Sequence, residues 1–296
     1  MKYKIQLMLS MLIFGSIGIF VRICGLPSGL LASVRGVFGS LVLLLIGLAA
    51  KKRLSLTNVK KNIKILLTAG IAIGFNWILL FEAYRFTTVA VATVCYYLAP
   101  VFIAVLSAIV FKEKLTAVKI ICIAVSLAGT VFVSGVSKTG VNKTTIIGAA
   151  LGIGAAVFYA AAVTLNKRLK DISSVDATTV QLFIAGIAVL PYAFIKSDWG
   201  VGSFSLKQLA ALIIIVVVHT GIAYAMYFSA VHKLDGQTAA VLSYIDPMTA
   251  IVLSALVLNE KMTVMSIIGA AMILCSTLIS EIFGNKRDRK QTDLQL

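Results

Sequence analysis

YLAPVFIAVLSAIVFKEKLT (residues 97–116) and YIDPMTAIVLSALVLNEKMT (residues 244–263) are two copies of one segment. They align without a gap at an offset of 147, and ten of the twenty positions are identical. Each copy begins inside a long apolar run, carries a proline at its fourth position, and leaves the run at Glu-Lys-x-Thr. An apolar run of that kind with a charged exit is the pattern of a membrane span and its turn. The chain is therefore read as a duplicated membrane protein.

Composition agrees. The 296 residues are 60% hydrophobic and 13% charged, with a mean hydropathy of +1.02, whereas soluble domains average roughly 45–50% apolar and about 25% charged residues. The solvent for most of the chain is lipid. A net charge of +16 would suit nucleic acid in a soluble protein, but here the basic residues fall between apolar runs, where they set topology. No nucleic-acid partner is expected. Cys24, Cys95, Cys122 and Cys275 lie in or at the ends of apolar segments without C-x-x-C spacing, so they are read as packing residues rather than a disulfide framework or a metal site.

A membrane helix needs about 20 mainly apolar residues. Ten segments qualify: 5–21, 29–50, 63–84, 87–111, 117–134, 145–166, 177–195, 208–231, 237–258 and 264–283. The longest connection, 51–62, has twelve residues, so any chemistry must sit within the bundle or at its mouths. With a cytoplasmic N-terminus, nineteen of the 27 Lys and Arg residues fall on the inner side and seven on the outer side, with Arg35 inside a span. That bias puts both termini in the cytoplasm. Residues 1–21 resemble a signal peptide in charge and apolarity, but no small-x-small cleavage site follows before Arg22, so they are read as a retained span.

Five spans per half is an odd number, so the second half enters the membrane upside down. The expected fold is an all-α integral membrane protein of ten transmembrane helices in two inverted five-helix repeats, 5–134 and 145–283, followed by a basic cytoplasmic tail, 284–296. Inverted repeats pack about a pseudo-two-fold axis in the membrane plane, with the substrate site near mid-depth at their interface. The polar junction includes Asn142-Lys143-Thr144, which matches a glycosylation sequon and is read as chance.

Charges at mid-bilayer are costly and face a cavity or a partner. Asp246 is the one acid at mid-span, and its counterpart in the other repeat is Ala99. Two readings stand: a proton- or cation-binding acid, or a neutral Asp beside Pro247 that satisfies freed backbone groups. Pro100 and Pro247 each remove a backbone donor and bend their span, beside Tyr97 and Tyr244. Asn76, Trp77, Tyr96, Tyr159, Tyr224 and Tyr227 are further mid-span candidates for substrate contact, or else packing residues. His219 is either a proton carrier or a neutral hydrogen-bonded ring. Arg35 and Glu82 are expected at similar depth near the outer edge, where an ion pair would leave neither charge alone; otherwise Arg35 receives an anionic group of the substrate. Gly70 with Gly74, and Gly148 with Gly152, are spaced for close helix contact.

Ten spans in two inverted halves, each with a proline in its fourth span and an E-K-x-T turn (Glu113, Lys114, Thr116; Glu260, Lys261, Thr263), and an arginine early in the second span (Arg35), resemble the EamA-type transporters of the drug/metabolite transporter superfamily. The resemblance covers residues 5–283. It implies a central cavity contributed by the third, fourth, eighth and ninth spans, where Asn76, Tyr97, Tyr224, Tyr244 and Asp246 lie. It also implies export of amino acids, related metabolites or toxic small molecules, sometimes coupled to protons. The second half departs from the first at the arginine position, where its counterpart region holds Gln181.

The functional expectation is a secondary transporter of the cell (inner or plasma) membrane, monomeric or homodimeric, that exports small organic metabolites by alternating access, with proton exchange through Asp246. A lipid or lipid-linked flippase is the alternative. A membrane enzyme would need a nucleophile with its base, or paired His or carboxylates, and His219 and His232 alone do not supply them. No phosphate-binding Gly-x-x-x-x-Gly-Lys-Ser/Thr loop occurs, and no cofactor or metal is expected.

Overall fold

A computed structural model describes residues 1–51, 54–112, 116–133, 136–137, 140–141, 143–196, 205–231, 233–234 and 236–293. Among the described residues the regular structure is helical apart from a two-residue antiparallel ladder, β1 (Val136–Ser137) with β2 (Gly140–Val141), in the polar junction. The first half holds α1 (Lys2–Cys24), α2 (Ser28–Ala49), the short α3 (Leu56–Lys61), α4 (Ile63–Phe86), α5 (Val89–Tyr96), α6 (Ala99–Phe111) and α7 (Ala117–Val133). The second holds α8 (Lys143–Asn166), α9 (Ser174–Ala188), α10 (Leu190–Lys196), α11 (Leu206–Ile214), a π-helical segment (Ile215–Ile222), α12 (Ala223–Val231), α13 (Gly236–Ser243), α14 (Ile245–Val257) and α15 (Val264–Asp293).

Among the described residues, seven helical stretches are long and apolar enough to cross a membrane, and three shorter apolar helices accompany them. Large apolar side chains point outward along them, as Ile109 (69% exposed) and Leu256 (72%) do, which is the surface that lipid requires. Helix ends carry their own signals. Gly25 ends α1 in the left-handed conformation (φ 62°). Thr88, Ser173 and Ser205 cap α5, α9 and α11, the last through a capping box with Gln208. The repeated threonine of the exit turn has the same duty in both halves: Thr116 Oγ1 accepts from Lys119 N at 3.3 Å, and Thr263 Oγ1 from Ser266 N at 3.1 Å. Glu113 and Lys114 of the first exit turn, Asn142 of the sequon, and His232 lie outside the described residues.

Packing runs between the halves. α2 lies against α9, and α7 against α15; α1 packs on α12 and α14, whereas α8 packs on α4, α5 and α6. Small residues permit the closest crossings. A Cβ on Gly36 would stand 2.5 Å from Gly186 Cα, and one on Gly129 would stand 2.8 Å from the Gly269 carbonyl oxygen. The glycines singled out by spacing behave likewise, with Gly74 against Val189 and Gly152 against the Ala92 carbonyl.

Three departures from the expected spans are structural. The 177–195 run is interrupted at Val189, two residues before Pro191, whose missing N–H leaves the Ile187 carbonyl without its helical donor. The 208–231 run contains the π segment, in which Thr220 Oγ1 and His219 Nδ1 reach the carbonyls of Ile215 and Ile214, five residues back. α15 runs on beyond the expected span 264–283, to Asp293.

Candidate functional site

Both repeated proline segments break their spans. α5 stops at Tyr96 and α6 starts at Ala99 with Pro100 in its first turn; α13 stops at Ser243 and α14 starts at Ile245 with Pro247 in its first turn. Proline fits a first turn because its missing N–H has no helical partner there. The breaks are short turns with i→i−3 bonds, Leu98 N to Cys95 O at 3.2 Å and Tyr244 N to Val241 O at 3.2 Å. They face each other, with the rings of Tyr97 and Tyr244 centred 6.2 Å apart.

Tyr97 neighbours the Asp246 carboxyl. Tyr96 sets its ring against Tyr97 (6.2 Å) and Tyr159 (5.6 Å), edge to face. Tyr244 donates to Thr277 Oγ1 at 2.8 Å. Gly15 on α1 leaves no room for a Cβ against the Asp246 carbonyl and Thr249, which draws the Asp246 turn onto α1. Tyr224 packs edge-on to Phe14 (5.1 Å) and stacks on Phe228 (6.0 Å); Tyr227 meets both of these rings. Tyr96, Tyr97, Tyr224 and Asp246 are each partly buried. The rings of Tyr96, Tyr97, Tyr159 and Tyr244 cluster beside the Asp246 turn where the two broken helices meet, an arrangement termed the aromatic chamber.

Asn76 and Trp77 sit behind this wall. Asn76 is 2% exposed and donates to the Ala155 carbonyl at 2.7 Å, clamping α4 to α8. Trp77 lies under the Arg35 guanidinium, with Cζ 4.2 Å from the ring centroid. His219 is 1% exposed; Nε2 is 2.9 Å from Ser16 Oγ, Nδ1 is 3.2 Å from the Ile214 carbonyl, and its ring packs 5.0 Å from Phe20.

The Arg35 to Glu82 ion pair does not form. Glu82 accepts from Ser28 and from Arg85 (3.2 Å), while Arg35 donates from Nε to Thr220 Oγ1 at 3.0 Å and stacks on Trp77. Equal depth along two helices does not set the direction in which each side chain leaves its helix. Arg35 points across α2 to the π segment, and Glu82 turns to the helix end.

At the end of the bundle expected to lie outside, Arg22 Nη2 donates to the Thr87 carbonyl (2.6 Å) and to Glu260 Oε1 (3.3 Å), and Glu260 Oε2 accepts from Val89 N (2.9 Å). Burial raises the Glu260 carboxyl above its ordinary value, against the pull of the Arg22 cation and the Val89 amide. This latch joins α1, the start of α5 and the α14–α15 turn. Reasoning from sequence also missed Tyr84, which lies 3.4 Å from Thr93, and Thr220; neither carries a signal apart from its place in the fold.

The EamA-like transporter family matches residues 1–135 and again 146–281. The chain belongs to the EamA-like transporter family. Its relatives include the uncharacterized transporter YxxF of Bacillus subtilis (strain 168), 28% identical over 281 residues, covering 93% of this chain and 88% of that protein. The uncharacterized transporter YoaV of the same strain is 22% identical over 268 residues, covering 90% and 91%. A protein of known crystal structure superposes with a TM-score of 0.65 at 18% identity, over 97% of this chain and 99% of that one, a likeness of fold. The EamA-like chain is thus a multi-pass membrane transporter.

Proposed function

We propose that the protein is a secondary transporter of the cell (inner or plasma) membrane that exports small amphipathic organic metabolites by alternating access, with Asp246 carrying the coupling proton. One observation carries the reading: two broken helices from opposite halves face each other at Tyr97 and Tyr244, and the acid stands in the first turn after one break. Ten spans in two inverted five-helix units, 5–134 and 145–283 with both termini cytoplasmic, account for the pattern of helix contacts. Exchanging the halves turns α1 on α12 and α14 into α8 on α4, α5 and α6, and it returns α2 on α9 and α7 on α15 to themselves. Such a bundle exposes a mid-depth site to either side by rocking one half against the other.

Asp246 has Tyr97 as its neighbour and no cation in an ion pair with it among the described residues. As the acid beside the facing breaks, Asp246 would take up a proton in one facing state and release it in the other. Tyr97, Tyr244, Tyr96, Tyr159 and Tyr224 supply apolar faces with hydroxyl edges for amphipathic solutes. The flippase alternative calls for cations along a lateral opening at headgroup depth; Arg35 is 5% exposed and stacked inside the bundle.

The reading is tested in proteoliposomes, with a solute chosen by comparing metabolites inside and outside cells that lack or overexpress the protein. An imposed pH gradient should drive its flux in the wild type, and Asp246→Asn should abolish driven flux while keeping a native melting profile. Undiminished driven flux in Asp246→Asn removes the acid from the mechanism, and absence of flux for every accumulated solute removes the transport reading.

A further inference from the structure

Arg35 is a cation without a counter-ion. It is 5% exposed, and its one hydrogen bond uses Nε, to Thr220 Oγ1. Neither Nη has a hydrogen-bond partner, and neither is sealed away, since the fully enclosed unpartnered polar atoms among the described residues are Ser33 Oγ and Thr164 Oγ1. Neither Nη is thus fully enclosed, and four N–H donors are unused. The guanidinium plane is held by Trp77 on one side (4.2 Å) with Phe81 beyond (5.8 Å), and by Thr220 at its edge. Tyr96 and Tyr224 pack against the same buried cluster as Trp77 and Phe81, which places the guanidinium beside the aromatic chamber.

Packing does not call for a cation here. The corresponding region of the second half holds Gln181, which is buried and satisfied by donating to Asn166 Oδ1 at 2.6 Å. An enclosed guanidinium with a fixed plane and vacant donors is costly unless an anion completes it. Its fork geometry matches a planar oxyanion with two oxygens.

Resting on the transport reading, we propose that Arg35 is the anion-recognition residue of the transported solute: its two Nη groups take a carboxylate of an organic monoanion, whose apolar body lies against the rings of Tyr224 and Tyr96. One guanidinium neutralises one negative charge, so a carboxylate is completed, whereas a phosphate monoester dianion carries excess charge into a low-dielectric site. Thr220 and Trp77 are positioning residues that hold the plane.

Trp77 makes the test direct. The chain has two tryptophans, Trp77 and Trp199, so Trp199→Phe leaves the ring under Arg35 as the single indole emitter. Purified protein in chloride-free buffer is titrated with matched probes: 3-phenylpropionate, its amide, phenyl phosphate and inorganic phosphate. The carboxylate should change Trp77 emission saturably, and the amide and phosphates should bind about tenfold more weakly or not at all, as expected when a charge-assisted bidentate pair is lost. Arg35→Gln should abolish the preference for acid over amide, and Arg35→Lys should restore part of it. The acid–amide comparison keeps Arg35 and needs only the Trp199→Phe protein to fold. Equal affinity for acid and amide, a preference for the phosphates, an unchanged preference in folded Arg35→Gln, or no carboxylate-dependent change in Trp77 overturns the proposal. Solute flux in proteoliposomes without this charge preference would leave the transport reading standing while removing Arg35. Carboxylate binding without flux for any accumulated solute would do the reverse.

Discussion

Arg22 and Glu260, 238 positions apart in the chain, meet at 3.3 Å and close one end of the bundle. Glu260 also accepts from the Val89 amide, the first N–H of α5. The carboxylate therefore serves as a counter-ion and as a helix N-terminal acceptor at once, and it fastens the α14–α15 turn to α1 and α5. The ion pair is partly exposed, with side chains 38% and 11% accessible, and contributes up to about 1 kcal/mol; the amide bond adds about 1 kcal/mol.

Loss of that latch should open its end of the chamber. Cys24 is fully buried two residues from Arg22, and Cys275 is exposed, so Cys275→Ser with Cys95→Ala and Cys122→Ala leaves Cys24 as the single thiol, whose modification reports opening. Glu260→Ala should raise the Cys24 labelling rate by roughly tenfold, the factor for about 1.4 kcal/mol. Acidity enters with a definite sign. Burial raises the Glu260 carboxyl above 4.5 when latched, so the latched form holds its proton more tightly than an exposed carboxyl does. Acidification through the window just above 4.5 should favour the latched form, and a rise in pH should weaken it. Labelling of the parent, divided by that of Glu260→Gln to remove thiol ionisation, should fall on acidification; a ratio that stays flat or rises contradicts this role.

At the crossing of α2 and α9 the backbones touch, with a Cβ on Gly36 falling 2.5 Å from Gly186 Cα and one on Gly186 falling 2.6 Å from Val37 N. Backbone cannot yield as a side-chain tip can. Gly36→Val or Gly186→Val should cost about 2 kcal/mol or more, by forcing the helices apart. Gly154→Ala, whose Cβ meets the flexible end of Leu79 at 3.3 Å, should be nearly neutral. Thermal unfolding in detergent of the three variants against wild type checks the order.

Thr220 joins the π segment to α2, accepting from Arg35 Nε at 3.0 Å and donating to the Ile215 carbonyl at 3.0 Å. Its neighbour across the interface is Gly39, where a Cβ would come 2.5 Å from Thr220 Cγ2. Thr220→Val keeps the shape and removes the hydroxyl, so a buried cation loses its hydrogen bond. The variant should be less stable by about 1.5–3 kcal/mol, read as a lower melting temperature, while Thr220→Ser should recover most of the loss. A Val variant that melts with the wild type would mean that Arg35 is held by Trp77 alone.

Much of this architecture could be read in one dimension. The duplicated segment located both helix breaks, because proline without an N–H must fall at a first turn or a bend. The repeated threonines could be read as the ends of their turns, and their side chains cap the helices that follow. Mid-span polarity singled out Tyr97, Tyr244, Asp246 and Tyr224, which the fold brings around one chamber or its wall. The π segment had no such signal, since one wider turn leaves hydrophobic periodicity almost unchanged. Asn76 was read for its chemistry, and the fold adds that its amide donates to the Ala155 carbonyl.

Depth and direction separate what each level of description decides. Apolar length, charge bias and proline position determine where a residue lies along its helix axis, because lipid constrains every span along the membrane normal. They do not determine which way a side chain leaves the axis, or what it meets there. Arg35 and Glu82 share a depth and do not meet. Arg35 goes instead to Thr220 and Trp77 because Gly36 and Gly39 let α2 press against α9 and the π segment, and that close packing sets the rotation of the helix. Arg22 and Glu260 meet because the two halves dock. Contact between side chains so far apart in sequence is decided by the tertiary structure.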